Sequence, residues 1–398
     1  MLRKYLLSWI SCIVCFGASS QAFLNDQAIV SLLTTTPCDN AVYTLYGHTS
    51  IRIKDSIAPG QIFDYVFNYG QFDASKPNFV YHFAKGELDY ILAFYKYEDF
   101  ASDRQLMNSS VYEQVLNLTQ TEKEELLMTL LMKAQPENRN YRYNFFFDNC
   151  ATRPAQLIEQ IINGQIVYQE NPAEGKTFRD IINDCTRNSP WQTFGCDLVL
   201  GIPTDRTVTL YESFFIPEFL QKAYSDAQII NLNGTKRPLV LATYLLIEEI
   251  PDEETGNFFL TPWISSLLLL VIVFGSTLIE WRSKKYFRLV DCLLFFMAGI
   301  AGCILFFLCF LSEHPSIWPN ISIVWLHPFQ LIGVVLFAVK KLHKVAYFYH
   351  FINFAALLLM SLAWIFIPQH LNIAFIPLIA ALLLRSGYCL VRQKMNIR

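Results

Sequence analysis

The chain has 398 residues, of which 53% are hydrophobic, 15% aromatic and only 16% charged. An ordinary soluble domain carries about 25% charged residues. This composition excludes intrinsic disorder, and a formal net charge of −3 leaves no basic field to recruit nucleic acid. The apolar excess is uneven: the last third is nearly all apolar, and the first two-thirds read as a normal folded domain. One extracytoplasmic domain plus a membrane domain is the expected organisation at this length.

Arg3 and Lys4 precede an apolar run over residues 5–16, followed by Ser20-Gln21-Ala22. This is a secretory signal pattern over residues 1–22 with a small-x-small cleavage site. The alternative, an uncleaved anchor, asks the run to be longer than it is. Residues 23–210 then carry the turn and charge content of a periplasmic domain. A β-rich run covers 42–53, with Ile51 and Ile53 on one face, and a second strand covers 61–68 before a turn at Gly70. The spacing predicts a helix over 119–133, capped at Thr119 or Thr121 with Glu122 in its first turn. An aromatic strand is predicted over 141–147 and a second helix over 151–164, with Pro154 early and Gly164 as its stop. The class is α+β with an antiparallel sheet. Residues 211–261 read as a membrane-proximal linker, whose Phe214, Phe215, Ile216 and Phe219 either dock on lipid or pack in a core.

The remainder, 262–398, is read as an all-α five-helix transmembrane domain, with apolar runs at 263–279, 289–311, 321–339, 345–367 and 373–390. Each is long enough to cross about 30 Å of hydrocarbon. Arg282, Lys284, Lys285 and Arg288 fill the first connection, and Lys340, Lys341 and Lys344 the third. Arg392, Lys394 and Arg398 end the chain, while connections 312–320 and 368–372 hold no Lys or Arg. By the positive-inside rule the domain before residue 261 lies outside and the C-terminus in the cytoplasm of an inner-membrane protein. The signal pattern argues for the same orientation independently.

Of ten Cys, two fall in the signal segment, four in spans (Cys292, Cys303, Cys309, Cys389) and four outside (Cys38, Cys150, Cys185, Cys196). Cys185 and Cys196 are close enough in sequence for a local disulfide. Outside the signal segment no CxxC or Cys/His zinc spacing occurs, so no metal is expected. The soluble region holds two His, His48 and His82. Cys150 stands where an aromatic stretch gives way to a helix, so the dipole and free N–H groups at the helix start can stabilise a thiolate or an oxyanion. His48 stands at the edge of a strand, a rigid mount for a base. A buried structural Cys and a capping His are the competing account.

Gly47-His48-Thr49-Ser50-Ile51-Arg52 upstream of Asn149-Cys150-Ala151-Thr152-Arg153 resembles the permuted papain-like (NlpC-like) hydrolases and acyltransferases, in which the His strand precedes the Cys helix. Lecithin–retinol acyltransferase-like enzymes are similar in order. Over nearly its full length the chain resembles the Lnb-type lipoprotein N-acyltransferases of Bacteroidetes. That resemblance includes Asn68-Tyr69-Gly70-Gln71-Phe72-Asp73, Pro77-Asn78-Phe79, Phe83-Ala84-Lys85-Gly86, and Asp197-Leu198-Val199-Leu200-Gly201 with Asp205. It implies a permuted papain-like periplasmic domain without a cofactor. It also implies a phospholipid as acyl donor, a Cys150 thioester, and a diacylated lipoprotein as acceptor. His48 would take the thiol proton.

Papain-like sites orient the imidazole with a third polar group. Asn68, Asp64 and Asp148 are the candidates. Tyr43 and Tyr46 are candidates for an oxyanion pocket, against a core role. Arg52 and Arg153 are candidates for a lipid phosphate, against ordinary ion pairing, and His82 is read as structural or on the substrate side. In the membrane half, His314 and His370 lie at outer helix ends with Glu313, Asn320, Gln369 and Asn372, and His327 enters the third span. Polar groups at that depth lean functional. Two other readings stand beside the acyltransferase: a periplasmic amidase or peptidase on peptidoglycan or peptides, and a non-enzymatic membrane sensor or scaffold.

Overall fold

A computed structural model describes residues 24–58, 61–75, 77–250 and 260–394. The expected signal segment lies outside the described residues. The N-terminal half is built on a seven-stranded antiparallel sheet of order β10-β5-β1-β2-β3-β4-β6. Its strands are β1 (Ile29–Thr35), β2 (His48–Ala58), β3 (Gln61–Gln71), β4 (Asp89–Lys96), β5 (Val111–Leu116), β6 (Asn140–Arg142) and β10 (Val240–Ile247). A small sheet joins β7 (Gly164–Val167), β8 (Gln228–Asn231) and β9 (Lys236–Pro238). The longer helices that accompany them are α1 (Phe79–Lys85), α2 (Tyr97–Leu106), α3 (Gln120–Lys133), α4 (Thr152–Ile161), α5 (Phe178–Cys185), α6 (Pro190–Val199) and α7 (Pro217–Ser225).

Strand alternation sorts β2 into two faces. Ile51 and Ile53 point into the main core with Phe67, Leu126, Leu130, Leu157, Ile158 and Leu220. Each such side chain is worth about 1.5–3 kcal/mol on burial. His48, Ser50 and Arg52 point the other way. Thr119 caps α3 by accepting from Glu122 N–H, and the Glu122 side chain returns to Thr119 N–H.

Three elements differ from the sequence reading. Residues 42–46 form a 3-10 helix, ended by Gly47 at φ 74°, before β2 begins. The aromatic stretch 143–148 is a turn: Asn144 Oδ1 accepts from Phe146 N–H and Phe147 N–H, and Asn144 pairs with Asp148. Residues 211–247 are no linker. They supply α7, β8, β9 and the edge strand β10, which pairs with β5. Phe214, Phe215, Ile216 and Phe219 are buried in the domain, away from lipid.

The C-terminal half has five apolar segments long enough to cross a membrane, with mean hydropathies from 1.6 to 2.7. Four are continuous: α8 (Pro262–Ser283), α9 (Arg288–Phe310), α11 (His343–Leu362) and α12 (Phe375–Lys394). The third was expected as one helix and is broken. A 3-10 turn (Ile321–Val324) is followed by an irregular step and then α10 (Phe329–Ala338). Pro328 ends the possibility of continuous hydrogen bonding, and the His327 backbone lies so close to Gly302 that a Cβ there would sit 2.5 Å from His327 N. Deep in the bundle Arg385 is fully buried between Glu280 (2.9 Å) and Asp291 (2.6 Å).

The soluble domain caps one end of the bundle. The Phe83-Ala84-Lys85-Gly86 motif meets the 311–320 connection: Glu313 N–H donates to Lys85 O (2.7 Å) and His314 Nε2 to Phe83 O (2.8 Å). The Asp197-to-Gly201 motif forms the other half of the seam. Gly201 N–H donates to Ser316 O, Ile202 N–H to Pro319 O, and Asn320 Nδ2 to the carbonyls of Leu198 and Val199. Asn372 Nδ2 reaches Asp197 at 2.8 Å and His370 N–H reaches Asp205 at 3.2 Å. Arg179, fully buried, holds both aspartates and the Leu200 and Gly201 carbonyls. A Cβ on Gly201 would fall 2.2 Å from Ile317 O, so only glycine fits.

Candidate active site

His48 opens β2 beside Thr35 of β1. Two residues on, Ser50 shares its face, and β3 brings Asn68 alongside. Asn68 is fully buried, and its Oδ1 accepts from Ser50 Oγ (2.5 Å) and from His48 Nε2 (3.1 Å). An amide oxygen cannot donate, so the imidazole proton sits on Nε2 and Nδ1 is the basic nitrogen.

Cys150 is delivered by the start of α4. Asn149, fully buried, fixes that start: its Oδ1 accepts from Ala151 N–H (2.8 Å) and Thr152 N–H (3.0 Å). Its Nδ2 donates to the carbonyls of Phe145 and Phe215. The backbone N–H groups of Thr49 and Cys150 favour the thiolate form of Cys150, against the larger effect of burial. Gly70, at φ 94° in a break of the β3–β4 register, leaves the space between the two groups open. A Cβ on Gly70 would sit 3.5 Å from Cys150 Cβ and 4.0 Å from His48 Cε1.

A cavity of about 460 Å³ opens on the His48 side of this pair, with His48, Gly70, Tyr43, Phe72, Tyr95 and Arg104 among its walls. The Arg104 Nε is buried without a hydrogen-bond partner. Burial pushes His48 down to about 4, helped by the Arg104 charge and opposed by the Asn68 bond. Burial pushes the Cys150 thiol up to about 11, against the pull of its two N–H donors. At neutral pH the resting site is a neutral thiol beside a neutral imidazole. An imidazole in that state can accept the thiol proton as the sulfur attacks, and the N–H donors can receive charge that develops there.

The remaining candidates are placed elsewhere. Asp148 is taken by Arg153 through two bonds (2.5 and 2.7 Å), so it does not orient His48, and Arg153 lies over Tyr141. Asp64 is taken by Arg52 in the same two-pronged way. Arg52 also reaches Glu113 and stacks on Tyr97, and is buried, so its charge is spent on ordinary ion pairing. The Tyr46 hydroxyl is bonded to Cys196 Sγ at 3.8 Å, and its ring packs on Phe145, so it is no oxyanion donor. Tyr43 is exposed at the cavity mouth against Phe72. His314 and His370 belong to the seam, and His327 Nδ1 is buried without a partner beside Gly302. His82 faces Glu87 at 3.5 Å. Cys185 and Cys196 are free and not joined in a disulfide; Cys196 faces Tyr46 instead. Cys38 and Cys150 are free as well.

Asn149, Ser50 and Arg104 were not singled out from sequence. Asn149 had a signal, since Asn is a favoured cap residue just ahead of a helix. Arg104 had none, lying among Asp99, Asp103 and polar residues that read as a solvated helix.

Two family models match the chain: the Lnb N-terminal periplasmic domain over residues 19–184, and the Lnb transmembrane domain over residues 253–396. Only residues 1–18, 185–252 and 397–398 fall outside them. No curated protein and no solved structure matches the chain.

Proposed function

The chain belongs to the Lnb family, and from that premise we propose that it is a membrane-bound thiol acyltransferase that completes the acylation of lipoproteins. The acyl donor is a phospholipid and the acceptor is the N-terminal amine of a diacylglyceryl-cysteine lipoprotein. The soluble domain is read as a permuted papain-like fold, with His48 on a strand before the Cys150 helix. The observation that carries the reading is the open side of Gly70, shared by Cys150 and His48, with Asn68 holding the imidazole so that Nδ1 is basic.

In the first half-reaction the Cys150 sulfur attacks the ester carbonyl while His48 takes the thiol proton. The C–S bond forms, the ester C–O bond breaks, and His48 returns the proton to the leaving lysophospholipid oxygen. In the second, the acceptor amine attacks the thioester. The C–N bond forms, the C–S bond breaks, and the proton lost by the amine ends on Cys150. An α-amine has a reference pKa of about 8, so a fraction is neutral and nucleophilic at neutral pH. Thr49 N–H and Cys150 N–H are read as the donors that stabilise the tetrahedral oxyanions.

Both substrates reside in the outer leaflet of the inner membrane. The seam that fixes the soluble domain to the bundle favours this reading over an amidase acting on soluble peptides. The basic connections 282–288 and 340–344 belong to the opposite end of the bundle, which is read as cytoplasmic together with the C-terminus. Mass spectrometry of lipoproteins from cells carrying Cys150→Ser tests the proposal. Diacylated lipoproteins are expected; an unchanged triacylated pattern would overturn it.

A further inference from the structure

We propose that α1 rests in the outer leaflet and that the aromatic series running inward from it guides the acyl chain of a membrane phospholipid to the catalytic cleft. The inference rests on the acyl-transfer reading and adds the route by which the donor arrives. α1 turns its apolar residues outward: Val80 is 77% exposed, Tyr81 52% and Phe83 51%. Burying such side chains in hydrocarbon is favourable by about 25 cal/mol per Å², and short apolar helices with Tyr at their edge suit the interface of a bilayer.

The height of α1 is set by its contacts. The Tyr81 ring lies 6.1 Å from Phe307, in the last turn of span α9, and the Phe83 ring 6.2 Å from His314 just beyond that span. A backbone bond from Glu313 and a ring bond from His314 hold the helix there. α1 therefore sits where α9 leaves the hydrocarbon, and its outward residues meet lipid.

From that level the rings continue inward. Phe83 stacks on Phe79 (6.2 Å), and Phe79 stacks on Phe72 (5.6 Å). Phe72 touches Tyr43 at the cavity mouth (5.7 Å) and Tyr90 behind it (5.3 Å), and Tyr90 stacks on Tyr143 (4.1 Å). Phe72 lines the cavity with His48, two residues from the Gly70 that abuts Cys150. Burial first, and the neighbouring Cys150 second, push the Tyr90 and Tyr143 hydroxyls up from the ordinary tyrosine value. The series from Phe83 to Phe72 carries no charge, so a methylene chain passes along it without desolvating an ion. A protein partner is the weaker occupant: the exposed face is one two-turn helix beside a membrane span, and it leads into the cleft.

The test uses the full-length protein in phospholipid vesicles. A benzophenone-bearing residue in place of Val80 should cross-link to phospholipid at least several-fold more than the same residue in place of Leu232. Leu232 is 82% exposed and lies beyond the β8 end that pairs with Gly164, at the far end of α4 from Cys150. Equal yields at the two positions overturn the placement of α1. The double substitution Val80→Asp/Phe83→Asp should slow acylation of Cys150 from vesicle lipid about tenfold or more while iodoacetamide labelling of Cys150 is unchanged. The control Leu232→Asp should acylate normally. Acylation untouched by the aspartates overturns the route alone. Cross-links at position 80 with no acyl group on Cys150 in the unaltered protein overturn the acyl-transfer reading, and the route with it.

Discussion

At the seam, Arg179 is fully buried and saturated by two aspartates, Thr204 and backbone carbonyls; at the cleft, Arg104 leaves its buried Nε without a partner, and His48 is held through Nε2 by Asn68. Both regions bury polar groups, and they manage the cost in opposite ways. The seam satisfies each charge on the spot, which is what a fixed joint requires. The cleft keeps its thiol and imidazole neutral by burial, so that each gains charge only when a proton moves between them. Arg385 in the bundle follows the seam, with Glu280 and Asp291 closing on it. Substitutions should therefore divide into those that lose rate and those that lose fold.

The largest effect is expected at the sulfur. Cys150→Ala should reduce lysophospholipid release by about 10⁴-fold or more with an unfolding midpoint close to that of the unaltered protein; residual release within tenfold would remove the thiol from the chemistry. Arg179→Ala should do the reverse. It leaves Asp197 buried and Asp205 half-buried without their cation, a loss of about 3–5 kcal/mol in unfolding free energy, and protease should then cut near residues 197–205. A loss below about 1 kcal/mol would mean that the neutral hydrogen bonds alone hold the joint.

Asn68→Ala should lower kcat about 10²-fold with little change in KM, because the imidazole loses the bond that fixes its tautomer. Rescue by Asn68→Asp would identify orientation as the cause. The pH profile gives the next effect. A base near 4 is still unprotonated at pH 5.5, whereas an ordinary imidazole at about 6.5 would be about nine-tenths protonated and the rate tenfold lower. The rate of Cys150 acylation, read as lysophospholipid release in a single turnover without acceptor, should stay level from pH 9 down to about 5 and fall through about 4. The same depressed value makes folding less favourable as pH drops from about 6.5 to about 4, because there the unfolded chain takes the proton first. The smallest effect belongs to Tyr46→Phe, which removes the hydroxyl bonded to Cys196: about 1 kcal/mol of stability at most and no change in rate.

The sequence revealed what depends on local pattern. Thr119 and Glu122 announce the start of α3, the apolar runs announce the spans, and the order of His48 and Cys150 survives in three dimensions. Asn68 was one of three candidates for the third polar group. Choosing it required knowing that Asp64 and Asp148 lie within reach of Arg52 and Arg153. Residues 211–247 were misread because β10 gains its identity from β5, more than a hundred residues earlier, and the Phe214–Phe219 cluster has no period that separates core from lipid contact. The break in the third span had one signal in the sequence, Pro328, while hydropathy does not register how closely the His327 backbone approaches Gly302.

Gly201 has a consequence for selectivity. Its backbone lies flush against the Ile317 and Pro319 carbonyls, with Gly86 in similar contact with Glu313 and His314 on the other side. Two such backbone-to-backbone seats leave the soluble domain little freedom to rise or tilt. A reaction centre on that mount works at one altitude above the bilayer. It would sort its substrates by where their reactive atoms float, much as a depth gauge does, and remain indifferent to the protein sequence that follows the lipid.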